Sequence, residues 1–104
     1  MVMQQVRVAF YTLKPGTVDE VIRRAEADLV LRFRNEIGFV AYGLIKTGDD
    51  ALISLSIWDL VEQATAAVQI AGAWEQESLG TMIDAVEIHI GSLEFFWALV
   101  AIGR

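Results

Sequence analysis

The sequence predicts one α+β domain in which an antiparallel sheet carries two helices on one face. Three observations predict it. Four apolar, β-rich runs fall at residues 6–13, 39–46, 51–58 and 86–93. The two longer intervals between them carry apolar residues at helical spacing, whereas residues 47–50 form a polar hairpin loop. The third run passes straight into the second helical stretch through Trp58-Asp59. The resulting β-α-β-β-α-β order is the split βαβ plan.

The first strand stops at Lys14-Pro15-Gly16, a turn signal. Thr17-Val18-Asp19-Glu20 then reads as a capping box, with a hydroxyl for an exposed amide and a Glu to reach back. Val18, Val21, Ile22, Ala25 and Leu29 form one buried stripe. The helix is expected to reach Asn35 or Ile37, with Gly38 supplying the left-handed residue that ends it. Asp59 is the expected cap of the second helix, with Glu62 three positions on. Gly72 is expected to interrupt that helix, and a further helical piece, residues 74–82, to break near Gly80.

Strand alternation separates two faces. One carries Val8, Phe10, Ile53, Leu55, Ile57, Val86, Ile88 and Ile90 and is uniformly apolar, which suits it to lie under the helices. The other carries Arg7, Tyr11, Ser54, Ser56, Trp58, Glu87 and His89. A bulge at Gly43 or Gly91 would shift this register.

The chain has 104 residues, natural for a single domain. A hydrophobic content of 55% is high for so small a domain, so some apolar surface is expected at an interface. Eight basic against 14 acidic residues leave a formal charge of −6, which argues against nucleic-acid binding. Arg23, Arg24, Arg32 and Arg34 are interleaved with acids, and Glu20–Arg24 and Asp28–Arg32 sit at the i,i+4 spacing of a solvated helix face. Cysteine is absent, which removes disulfides, thiolate metal sites and a Cys nucleophile, and fits a reducing compartment. No secretory signal pattern is visible, and no apolar run approaches the ~20 residues that span a bilayer, so a cytoplasmic protein is expected. No phosphate loop, nucleophile elbow or two-histidine metal motif occurs, and no cofactor or metal is expected.

Residues 95–102 (Phe-Phe-Trp-Ala-Leu-Val-Ala-Ile) are too apolar to hang in water. They either pack along their own subunit or cross to a partner and pair with a sheet edge. The domain is therefore read as residues 1–94, followed by a C-terminal tail, 95–104.

His89 is the sole histidine and the natural proton-transfer group at neutral pH, with Glu87 two residues away to orient it. The alternative is a hydrogen-bonded structural histidine at an interface. Trp58, Trp74, Tyr11, Tyr42 and Phe33 are candidate pocket walls, or else plain core. Arg7, if buried, needs a carboxylate partner, for which Glu87 is the candidate, or a ligand anion.

Element order, and Ile57-Trp58-Asp59-Leu60-Val61-Glu62-Gln63-Ala64 in particular, make residues 5–94 resemble the dimeric α/β-barrel superfamily of ferredoxin-like fold, antibiotic-biosynthesis-monooxygenase branch. The resemblance implies a homodimer in which two sheets face each other, and a cleft between sheet and helices with Trp58 in its wall and Trp74 in the segment that closes over it. It implies cofactor-independent oxidation of a small apolar aromatic, whose anion, formed with the help of a base, reacts with dioxygen in a dry pocket; His89 would be that base. The haem-degrading branch pairs a first-strand Asn with a helix-two His, and this chain has neither. The alternative functions are a non-catalytic small-molecule-binding module and a purely structural dimer with a filled cleft.

Overall fold

The computed structural model describes residues 3–97. Strands β1 (Gln5–Leu13), β2 (Phe39–Gly48), β3 (Ala51–Trp58) and β4 (Ile83–Ser92) form one sheet in the order β2-β3-β1-β4. Each neighbouring pair is antiparallel. Between β1 and β2 run α1 (Val18–Arg24), a π-helical turn (Ala25–Leu29) and α2 (Val30–Arg34). Between β3 and β4 run α3 (Val61–Trp74), a second π-helical turn (Glu75–Leu79) and a 3₁₀ turn (Gly80–Met82). This is the ferredoxin-like α+β arrangement that the element order predicts.

The first helical segment buries Val18, Val21, Ala25, Leu29 and Phe33 along one stripe. Its start differs from expectation: the Thr17 hydroxyl donates to the Lys14 carbonyl at 2.8 Å, and Glu20 binds Arg23 and Arg24 instead of reaching back. The Glu20–Arg24 and Asp28–Arg32 pairs form as the spacing predicts. Gly38 adopts φ +88°, and its carbonyl accepts from the Asp59 amide at 2.9 Å. The cap of α3 falls one residue later than predicted, at Leu60, whose amide donates to Gln63 Oε1 at 2.9 Å. Helix α3 runs unbroken through Gly72; the chain turns at Gly80, with φ +55°.

The two faces are the reverse of the expected ones. The helices cover Arg7, Ala9, Tyr11, Leu13, Leu52, Ser54, Ser56 and Trp58, all buried. Helix α3 brings Ala64, Ala67 and Ala71 down onto this face, and it packs on β1 and β3. Small residues on both layers permit a close approach, and the large aromatics fill the remainder. The uniformly apolar set on β1 and β3 is the open face: Phe10 is 44% exposed, with Val8, Ile53, Leu55 and Ile57 half-buried beside it, and Ile45 of β2, paired with Ile53, is 46% exposed.

Strand β4 is also shifted by one residue from the expected alternation. Glu87 pairs with Phe10 and His89 with Val8, so both belong to the open face. Val86, Ile88 and Ile90 pair with Tyr11, Ala9 and Arg7 on the helix side. The β1–β4 irregularity lies at Thr12/Leu13, not at Gly43 or Gly91. No tight turn joins β1 to β4, so nothing local sets their register. Beyond β4, Phe95, Phe96 and Trp97 are exposed and have no regular structure. The rest of the anticipated tail, residues 98–104, lies outside the described residues. No described helix is long and apolar enough to cross a membrane.

Candidate functional site

The reversal of the faces places the polar and aromatic residues between sheet and helices. Central strand β1 projects Arg7 and Tyr11 into this layer, and β3 projects Ser54, Ser56 and Trp58. Tyr42 enters from β2, and Phe33 and Trp74 descend from α2 and α3.

The aromatic side chains interlock edge to face. The Phe33 ring centroid lies 5.3 Å from that of Trp58 and 5.6 Å from that of Tyr42, with interplanar angles of 82° and 72°. Phe39 adds a third ring, 5.4 Å from Trp58. Trp58 Nε1 donates to Ser56 Oγ at 2.8 Å, and Ser54 Oγ donates to Tyr42 Oη at 3.4 Å. A groove of about 350 Å³ between the helices reaches this layer at Trp58, with Ile37, Gln63 and Ala66 also on its walls. A second, of about 590 Å³, reaches Tyr42 between the first helical segment and β2.

Within the layer lies an ionisable pair. The Tyr11 hydroxyl donates to the Glu75 carboxylate. Burial and then the Glu75 charge push the phenol far above its ordinary value. Burial also raises Glu75, against the opposing pull of the Tyr11 hydrogen bond and the Arg7 charge. Tyr42 is raised by burial as well. Glu75 is the first residue of the second π-helical turn. That turn is tied to the first helical segment twice: Arg24 donates to the Ser78 carbonyl, and Arg32 Nη2 pairs with Glu77 at 2.8 Å. Together these ties hold the Glu75 segment over the sheet.

Arg7 has no exposed surface, and its guanidinium carbon lies 5.7 Å over the Phe33 ring centroid. Glu87, its expected carboxylate partner, is on the opposite face of the sheet.

Five of the six predicted site residues therefore meet in one layer: Tyr11, Phe33, Tyr42, Trp58 and Trp74. The sixth, His89, does not join them. Its Nε2 lies 2.7 Å from a Glu87 carboxylate oxygen on the exposed open face, with Phe10 edge-on at 6.0 Å. Glu75 was not anticipated. Its only signal in the sequence is an acid directly after a candidate pocket tryptophan.

These features define the class: a ferredoxin-like α+β domain with a polar-aromatic layer between sheet and helices. No protein-family model and no curated protein matches the chain. Among solved structures, it is similar to a monooxygenase from the ActVA-Orf6 gene of Streptomyces coelicolor, solved in complex with nanaomycin D (TM-score 0.73, 13% identity, 94% of each chain covered). It is also similar to SnoaB, a cofactor-independent oxygenase from Streptomyces nogalater (TM-score 0.65, 14% identity, 99% of this chain and 100% of that one). A protein of unknown function from Nitrosomonas europaea is equally alike (TM-score 0.75, 16% identity, 96% and 98% covered). At these identities the likeness is one of fold.

Proposed function

We propose that this protein is a cofactor-independent monooxygenase that oxidises a small, electron-rich aromatic between sheet and helices. The observation that carries the reading is the Tyr11–Glu75 pair, a carboxylate raised by burial and bonded to a phenol within an aromatic layer. The known oxygenase activity of two proteins of this fold supports it. A carboxylate with raised basicity is suited to take a proton from a phenol or an activated ring methylene. The substrate anion then supplies the electrons to dioxygen: a methylene and O₂ become a carbonyl and water, so the substrate is itself the reductant. The protein contributes orientation, a proton acceptor and exclusion of water.

The open apolar face supports a homodimer, because Val8, Phe10, Ile45, Ile53, Leu55 and Ile57 form a contiguous apolar surface. A second copy laid on this face buries it. The exposed Phe95, Phe96 and Trp97 beyond β4 fit a tail that crosses to that copy.

The test is oxygen uptake by the purified protein with a panel of anthrones and quinols, paired with tryptophan-fluorescence titration. Trp58 and Trp74 report the layer, and Trp97 lies outside it, beyond β4. Saturable quenching with oxygen consumption by one class of compound is expected. Saturable quenching without oxygen consumption would leave a binding module; no quenching by any class would leave a structural dimer.

A further inference from the structure

Among the described residues, four buried side-chain nitrogens lack any hydrogen-bond partner in the protein: Nε, Nη1 and Nη2 of Arg7, and Nε1 of Trp74. A buried guanidinium is costly unless paired, because it stays charged and its N–H groups lose water. The carboxylate whose charge Arg7 opposes, Glu75, is already bonded to Tyr11, and Arg7 lies close enough to the Tyr11 hydroxyl to pull its pKa down without forming a well-aligned hydrogen bond to it. Arg7 therefore holds an unused planar fork of donors in the layer assigned to the substrate.

We propose that Arg7 is the carboxylate-binding residue of this cleft, and that the ligand is an aromatic carboxylic acid bound as its monoanion, with Trp74 Nε1 as a second donor on the covering helix. The inference rests on the aromatic-cleft reading above and adds the charge of the ligand. A planar carboxylate matches the guanidinium fork in shape, charge and number of acceptors. The ring of such a ligand suits the surroundings. Phe33 lies directly beneath the guanidinium, and Trp58, which floors the surface groove, stands edge-on to Phe33. The chain of contacts from the groove to Arg7 is thus aromatic until it reaches the cation. A neutral ligand can accept hydrogen bonds from the fork but leaves its charge uncompensated, and a dianion would leave one charge uncompensated beside Glu75.

The test compares 2-naphthoate with its neutral counterpart 2-naphthamide, by fluorescence titration and calorimetry, on the wild-type chain and on Arg7→Met. The wild type is expected to bind the carboxylate roughly tenfold or more tightly than the amide, from one charge-assisted contact. Arg7→Met should erase that preference while keeping amide binding within about threefold. Arg7→Met should also raise the Tm of the ligand-free protein, since a buried charge with no hydrogen-bonded partner is replaced by an apolar chain of similar volume. Equal binding of the two probes to the wild type would overturn the carboxylate assignment and leave the aromatic cleft standing. Binding of neither would overturn the cleft reading and the assignment with it. A lower Tm for ligand-free Arg7→Met would show that Arg7 already has a protein partner, and would also overturn the assignment.

Discussion

The Tyr11 hydroxyl donates to the Glu75 carboxylate across 64 positions of sequence, joining the central strand to the π-helical turn that follows α3. The bond places an acid and a base together where both are partly or fully withdrawn from water. Glu75→Gln keeps the size and one hydrogen-bonding oxygen but removes the proton acceptor. We expect oxygen uptake to fall by roughly 10²-fold or more, with ligand affinity changed only a few fold. His89→Ala, on the opposite face, should leave uptake within about threefold of wild type. Loss of turnover in the histidine variant together with retention in Glu75→Gln would reverse the assignment of the base.

The same carboxylate sets the pH profile. Glu75 is held above the ordinary carboxylate value, and only its ionised form accepts a proton. Uptake should therefore rise with pH along a limb lying above about pH 4.3, the usual Glu value. That limb should disappear from whatever activity remains in Glu75→Gln.

Stability at high pH follows from the two tyrosines, the only two in the chain. Both are raised above the ordinary phenol by burial. A group raised on folding contributes stability that is complete below its unfolded value and is lost as the pH climbs towards its folded one. Unfolding free energy should thus decline from about pH 10 upward. Absorbance of tyrosinate near 295 nm should appear late and together with loss of the circular-dichroism signal. Free titration of either tyrosine near pH 10 in folded protein would contradict the buried placement.

Gly38 combines φ +88° with a close approach: a Cβ built there would lie 1.9 Å from Gln63 Oε1. Gly38→Ala should destabilise the fold by about 1 kcal/mol or more in urea denaturation. Adding Gln63→Ala removes the clash but not the backbone strain, so the double variant should regain only part of the loss relative to Gln63→Ala alone.

The open face yields the last prediction. Phe10→Glu introduces a charge at its centre without disturbing the layer under the helices. Light scattering should report half the wild-type mass, with unchanged circular dichroism. Deleting residues 95–104 should weaken the proposed dimer, and an unchanged mass by light scattering would show that the tail plays no part in it.

Element order, the extent of the third strand and the helix stripe were legible in the sequence because each depends on neighbours in the chain, whereas β2 runs two residues past its expected end, to Gly48, and β4 starts three residues before its expected start, at Ile83. Ala51–Trp58 matches the expected strand at both ends, and Val18, Val21, Ala25 and Leu29 face the core as their spacing requires. Five aromatic site residues could be named for the same reason: they alternate or repeat correctly within their own elements. The helix starts were less legible. Thr17 has the chemistry of a capping residue, but the Lys14 carbonyl takes its hydroxyl.

Which face the helices cover, and on which face His89 falls, were decided by tertiary structure. Alternation divides a strand into two sets but carries no label for inside, and apolarity misleads when the more apolar face is the one the helices leave uncovered. The position of β4 against β1 depends on a crossover through α3 and the π and 3₁₀ turns, with no short turn to pin it. A slip of one residue there moves His89 and Glu87 away from Arg7. The sequence by itself determined the ferredoxin-like plan and the aromatic stock of the layer. Only the packing of α3 onto the β1–β3 pair decided that Arg7, Tyr11 and Glu75 share it, because their meeting rests on contacts between residues far apart in the chain.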